Sequence, residues 1–205
     1  MKFSLSWLNE HLDTKNYDLN EIASTLTNIG LEVESVRDRS TELKHFTVAK
    51  VLDASKHPDA DRLKVCKVQT SEGTFQVVCG ASNAKTGMLG VFAPENSFIP
   101  GTKLKLKKSK IRGIESCGML VSEREMGISD EHEGIIEIDK KYNIGDSFAE
   151  IYGLNDPVIE INVTPNRSDC LSVKGIARDL HAAGIGTIKN LTIPKIKGTF
   201  VSPIK

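Results

Sequence analysis

No run of apolar residues in this 205-residue sequence exceeds four, and the N-terminal MKFSLSWLNEH has neither an extended apolar core nor a small-residue cleavage site. Neither a membrane span nor a secretory signal is expected, and a cytoplasmic location is. Cysteine is scarce: Cys66, Cys79, Cys117 and Cys170 form no CxxC pair, and the five histidines add no ligand pair at zinc spacing. No metal site is therefore expected, and the thiols should be buried and reduced. The 7 prolines and 16 glycines are close to average usage and no internal repeat is visible, which excludes collagen-like, low-complexity and solenoid architectures. GxxxxGK[ST] and GxGxxG are both absent, so no phosphate-cradling loop is indicated. The 39% of hydrophobic side chains suffices for one domain or two small ones.

Net charge is also lacking, since 27 basic and 27 acidic residues cancel, but their distribution is uneven. Residues 1–42 carry a balance of −4, residues 43–122 of +7, residues 123–152 of −6 and residues 153–205 of +3. The +7 block suggests a polyanionic partner for that block alone, with an acidic neighbour limiting where it could lie.

The N-terminal block opens with a short apolar KFSL and a helix over SWLNEHL, then a clearer helix over DLNEIASTLTNIG. Asp18 and Glu21 have capping-box spacing, Leu19, Ile22, Ala23 and Leu26 recur at helical intervals, and Gly30 can end the helix. LEVESV alternates as a half-buried strand. From residue 45 to about 121 short β segments are broken by HPDAD, SEG, SNAKTG and FIPG, which suits a small antiparallel barrel or sandwich better than any parallel fold. Ser122 and Glu125 predict a short capped helix over SEREM, and GIIEI at 134–138 one more strand. The C-terminal block reads as strand PVIEINV, turn TPNRSD, and a helix to about Ala183 with Val173, Ile176, Ala177 and Leu180 on one face. Neither terminal block can bury enough surface alone, so the two should pack on each other with the barrel inserted between them. The expected class is α+β: a five-stranded OB-type β-barrel inserted into a small discontinuous α/β domain, with boundaries 1–42, 43–152 and 153–190.

Catalysis has little support. Ser82 in CGASNA lacks the full GxSxG elbow, and Cys117 in GIESCGM has no base supplied by the sequence. HPDAD at 57–61 reads as a self-capping turn rather than a metal site. KLKLKKSKIR at 103–112 holds more physical content. On an extended strand Lys103, Lys105 and Lys107 share one face and Leu104 and Leu106 the other, with Lys110 and Arg112 resuming the alternation after a break. Pattern alone leaves two readings open: a solvated edge guarded by lysines, or a nucleic-acid surface. The nearest aromatic is Phe98, so a bound nucleic acid should be held through phosphates and shape more than through unstacked bases, which suits folded RNA.

HPDADRLKVCKV, QVVCGASNAKTGM and KSKIRGIESCGMLVSEREMG, in that order, closely resemble the tRNA-binding OB module of several aminoacyl-tRNA synthetases and of free-standing tRNA-binding proteins. KFSLSWLNEHL, GLEVESV and VIEINVTPNRSDCLSVKGIARDLHAAG resemble the N-terminal region of bacterial phenylalanine–tRNA ligase β subunits. The resemblance covers residues 1 to about 190. It implies a non-catalytic fragment giving an auxiliary contact to phenylalanine-accepting tRNA and helping assembly with an α subunit into an α2β2 enzyme. The whole enzyme would charge the tRNA with phenylalanine using ATP and Mg²⁺. No cofactor is expected in the fragment itself, and residues 191–205 would begin a linker to an editing domain. The basic residues Lys103, Lys105, Lys107, Lys108, Lys110 and Arg112 become candidate phosphate partners, and Asn83, Ser116 and Ser122 candidate polar contacts by match to the module's motifs. A free-standing tRNA-binding protein and a barrel serving as an assembly scaffold are the alternatives.

Overall fold

The computed structural model describes residues 1–190 together with 194, 195 and 198; apart from those three positions, the expected linker at 191–205 lies outside the described residues. The first elements are β1 (Lys2–Ser4), α1 (Leu5–His11), β2 (Leu12–Asp13), α2 (Leu19–Asn28) and β3 (Val33–Arg37). Next come α3 (Arg39–Glu42), β4 (Thr47–His57), β5 (Ala60–Thr70), β6 (Gly73–Cys79), β7 (Leu89–Ala93), β8 (Phe98–Ile99) and β9 (Leu104–Lys105). β10 (Ser109–Ile111), β11 (Ile114–Ser116), β12 (Met119–Leu120), β13 (Glu137–Ile138) and α4 (Phe148–Ile151) follow. The last elements among the described residues are β14 (Val158–Ile161), a 3₁₀ turn (Ser168–Leu171), α5 (Val173–Ala182) and β15 (Thr187–Ile188). Contacts divide it into two units: Met1–Arg37 with the chain from Asp156 onward, and Asp38–Asn155.

In the first unit, β14 lies between β1 and β3 in an antiparallel sheet, pairing Ile159 with both Phe3 and Val36. Each main helix starts where a side chain accepts from an amide that has no partner within the helix. Ser4 caps Trp7, Asp18 and Glu21 complete a reciprocal capping box, and Ser172 caps Gly175. The apolar stripes so fixed meet in one core of Leu8 and Leu12, Ile22 and Leu26, Ile159 and Ile161, and Val173, Ile176 and Leu180, all buried. Gly175 lets α5 touch the 3₁₀ turn: a Cβ there would lie 2.0 Å from the Asp169 carbonyl oxygen.

An ion-pair network sits on the same junction. Arg167 bonds Asp169 (Nε to Oδ1, 3.2 Å) and Asp179, while Arg178 bonds Asp179 (Nη2 to Oδ1, 2.9 Å) and Asp169. The hydrogen bonds from Arg167 and Arg178 hold the Asp169 carboxyl well below the usual carboxylate range. For Asp179 burial pushes upward, but the same two guanidinium groups outweigh it and its carboxyl is also lowered. Carboxyls depressed by folding stabilise fully above their unfolded values and lose that contribution as pH falls through the folded ones. The first unit's denaturation midpoint should therefore be flat from neutrality down to about pH 5 and fall below about pH 4. Asp169→Asn should make the acid limb shallower, and an unchanged limb would remove the network from the account.

The second unit is built on a six-stranded antiparallel sheet, β12-β7-β4-β5-β6, with β13 also on β7. β4 and β5 form a long hairpin turned at Pro58 and Asp59, where buried His57 accepts from the Asp59 amide through Nδ1 (3.1 Å). The ladder is strand-rich as expected, but it runs over six strands and does not close into a barrel by continuous pairing. β12 and β13 are two-residue strands sharing one edge of β7, at Ala93–Phe92 and Gly90–Leu89. The far edge, β6, meets residues 115–117 through irregular bonds: the Cys117 amide to the Gln76 carbonyl (2.8 Å), and the Val78 amide to the Ser116 hydroxyl (3.1 Å). A hydroxyl standing in for a carbonyl breaks the ladder at that seam. The two ends of the unit are joined by backbone bonds from Val48 to Asp146 (3.0 Å), Gly145 to Val48 (2.9 Å) and Phe148 to Phe46 (3.1 Å).

Two further expectations are corrected. SEREM is a hydrogen-bonded turn rather than a helix: Ser122 and Glu125 do cap each other, but Gly127 already bonds back to Arg124. KLKLK does not run on as one alternating strand: only Leu104 and Lys105 form a strand, Leu104 is 66% exposed, and Leu106 alone packs, half-buried, on the core. Lys103 adopts φ +55, a left-handed conformation that interrupts the alternation one residue earlier.

Candidate nucleic-acid interface

The basic stretch is divided between two small hairpins outside the main sheet. β8 pairs with β9 (Phe98 with Lys105, Ile99 with Leu104), and β10 with β11 (Lys110 with Glu115). The first hairpin is held by the Asn96 amide to the Leu106 carbonyl (2.9 Å) and the Leu106 amide to the Ser97 carbonyl (2.7 Å). Its loop docks on the 122–127 turn, where Gly101 donates to the Glu125 carbonyl (2.8 Å). A Cβ at Gly101 would lie 1.8 Å from the Arg124 carbonyl oxygen, so only glycine allows this approach. The second hairpin is pinned to the β4–β5 turn by His57 Nε2 to the Ile111 carbonyl (3.2 Å) and Arg112 Nη1 to the Asp59 carbonyl (3.2 Å).

The six basic candidates are consequently not equivalent. Lys108 bonds Glu115 at 2.5 Å. That hydrogen bond raises the Lys108 ammonium and lowers the Glu115 carboxyl from their ordinary values. Lys110 stands opposite the same glutamate, and Arg112 is engaged with the Asp59 carbonyl. Lys103, Lys105 and Lys107 are exposed and make no ion pair among the described residues. With Arg112, whose partner is an uncharged carbonyl, they are the members of the stretch not set against Glu115.

The three polar candidates have internal partners. Asn83 clamps Ile135 from both sides, donating to its carbonyl (2.8 Å) and accepting from its amide (3.0 Å). Ser116 is buried, accepting from Val78 and donating to the Gly118 carbonyl (3.3 Å), and buried Ser122 is locked to Glu125. These side chains fold the loops around the hairpins and have few atoms free for a ligand. Sequence reasoning passed over Leu104 and undervalued Phe98, which are 66% and 56% exposed on the β8–β9 ladder.

Other chemistry finds little footing. Burial pushes the Cys117 thiol up, so it is not an activated thiolate. Asp169, Cys170 and Asp179 bring possible metal-ligand atoms within 4.8 Å of one another. Arg167 and Arg178 already neutralise both carboxylates, and burial pushes the Cys170 thiol up to about 11. This donor set does not fit Mg²⁺ or zinc. No helix among the described residues is long and apolar enough to cross a membrane.

Comparison with known proteins matches residues 46–147 to the family described as "Putative tRNA binding domain". The whole chain is 52% identical over 206 residues to the phenylalanine–tRNA ligase β subunit of Brucella abortus (strain 2308), of which it covers 25%. It is 53% identical over 205 residues to that of Rickettsia bellii, covering 23%, and 54% identical over 207 residues to that of Mesorhizobium japonicum, covering 26%. The chain thus spans about a quarter of the length of the curated relatives it matches. Among solved structures, a MetRS-related protein from Pyrococcus horikoshii overlaps 50% of this chain and 86% of its own at 20% identity and TM-score 0.37, too distant to bear on function.

Proposed function

Because the chain belongs to the family of phenylalanine–tRNA ligase β subunits, we propose that it forms the non-catalytic N-terminal part of such a subunit, with its second unit giving an auxiliary contact to tRNA. The observation carrying this reading is the coincidence of three things on one segment. The tRNA-binding family match at 46–147 falls within the compact unit Asp38–Asn155, and that unit carries Lys103, Lys105 and Lys107 without internal partners. We read this unit as an OB-type barrel with an irregular seam, inserted into a discontinuous α/β unit that serves subunit assembly. In the full enzyme, an α2β2 assembly in the cytoplasm would charge phenylalanine-accepting tRNA. ATP and Mg²⁺ would act at a site outside this chain; the candidate metal cluster among the described residues is already neutralised by arginine.

In this reading the lysines act as phosphate contacts. Each phosphate neutralised releases counterions and adds about 0.7–0.9 to the slope of log affinity against log salt. Replacing Lys103, Lys105 and Lys107 by glutamate in this chain should weaken tRNA binding and reduce that slope by about 2. A salt series by fluorescence anisotropy provides the measurement, and unchanged affinity with unchanged slope would refute the assignment. Lys108→Glu should do less, because Lys108 already spends its charge on Glu115.

A further inference from the structure

We propose that Phe98 is a stacking platform for an unpaired base of the bound RNA, with Lys103 and Lys105 taking the flanking phosphates; the proposal rests on the RNA-binding reading above. Phe98 and Leu104 are the two most exposed large apolar side chains of the second unit, and both lie on the β8–β9 ladder. Single exposed apolar residues are ordinary on protein surfaces and need no ligand. Four features together set this pair apart.

The first is register. Phe98 and Lys105 are direct partners across the ladder, so ring and ammonium leave the same face of the hairpin. The second is freedom of the ring: the aromatic pairs among the described residues are Phe75 with Phe92 and Phe148 with Tyr152, and Lys141 on Tyr142 is the cation–π contact, so no ring or cation is stacked on the exposed Phe98. The third is rigidity. Ile99 is buried, Asn96, Ser97 and Leu106 are tied by backbone bonds, and the loop is seated through Gly101, so the ring cannot fold back into a core. The fourth is charge: residues 98–107 contain five proline, glycine or aliphatic positions beside Lys103, Lys105 and Lys107, and no acidic residue.

An exposed ring held rigidly among unpaired cations matches the two halves of a nucleotide, a flat base and an anionic phosphate. Proteins that grip single strands combine these same elements. Stacking on a phenylalanine face reads no hydrogen-bond pattern, so the site should accept any base provided it is unpaired, as in a loop or an end. Contact through phosphates and shape more than through unstacked bases is thereby joined by one stacked base.

The test uses the 205-residue chain with two labelled probes of equal nucleotide number, oligoadenylate and an RNA duplex, measured by fluorescence anisotropy. Phe98→Leu keeps an apolar side chain but removes the plane. It should weaken oligoadenylate binding about tenfold while changing duplex binding by less than about twofold, and Phe98→Trp should restore the loss. Because Phe98 is exposed, the denaturation midpoint should not move, which separates lost stacking from lost fold. Wild-type oligoadenylate affinity in Phe98→Leu, or equal losses for both probes, would overturn the proposal. The parent reading fails separately: if the Lys103, Lys105 and Lys107 charge reversal leaves both probes unaffected, no RNA surface exists here. If that reversal weakens both while Phe98→Leu changes neither, only the stacking platform is wrong.

Discussion

Gly175→Ala should lower the stability of the first unit by about 2 kcal/mol, opposite in sign to the usual effect of removing a glycine from a helix interior. Two terms compete. Alanine in place of glycine within a helix is worth about 0.5–1 kcal/mol of stabilisation through backbone entropy. Against that, the new Cβ would stand 2.0 Å from the Asp169 carbonyl oxygen and 2.8 Å from its carbon, both backbone atoms that cannot rotate away. Relief requires α5 to retreat from the 3₁₀ turn by more than an ångström, stretching the Ser172 cap on the Gly175 amide (3.1 Å) and parting Arg178 from Asp169. Overpacking of this kind costs about 1–3 kcal/mol or more, so the clash wins. Trp7, the single tryptophan, lies on α1 in the same unit and reports the transition in a denaturant titration. A midpoint equal to or above wild type would show that the turn yields freely.

Phe148→Ala carries the largest expected loss in the second unit, about 3–5 kcal/mol. Phe148 is fully buried against Tyr152, ring centroids 4.7 Å apart, in the core it shares with Phe46, Val48 and Val91. Its amide also donates to Phe46, one of the bonds joining the two ends of the unit. Removing the ring should leave a cavity where those ends meet. Hydrogen exchange at the Val48 and Gly145 amides should then accelerate more than exchange at the centre of β5. Retained protection at both amides, with a stability loss under about 1 kcal/mol, would contradict this.

Local signals in the sequence marked much of this architecture. The Asp18–Glu21 pair announced α2 because a capping box needs only neighbours three positions apart, and Val173, Ile176 and Leu180 announced the buried face of α5. The β4–β5 hairpin followed from turn residues between alternating strands. What misled was an assumption of continuity in KLKLK. The Gly101 approach and left-handed Lys103 break the extended conformation that alternation requires, and Leu104 points outward as a result. Asn83, Ser116 and Ser122 lie in motif-like surroundings, but the groups they satisfy include Ile135, 52 residues from Asn83, and Val78, 38 residues from Ser116. No local pattern encodes a partner at that distance. The pairing of Lys108 with Glu115 was nearer, yet it depends on the register of a three-residue hairpin.

The pairing of Arg37 with Val158 places the last residue before the second unit beside the chain that returns after it. Closing β3 onto β14 while the intervening segment is unfolded would cost loop entropy of about 4 kcal/mol. Once that segment has folded and Val48 is bonded to Asp146, the open loop shrinks to residues 38–47 on one side and 147–157 on the other. During synthesis the first thirty-seven residues emerge early with Leu8, Ile22 and Leu26 uncovered, yet β14, Ile176 and Leu180 arrive only after the whole insert. Vectorial folding therefore runs from the insert outward, with residues 1–37 made before the insert but finding their partners only after it.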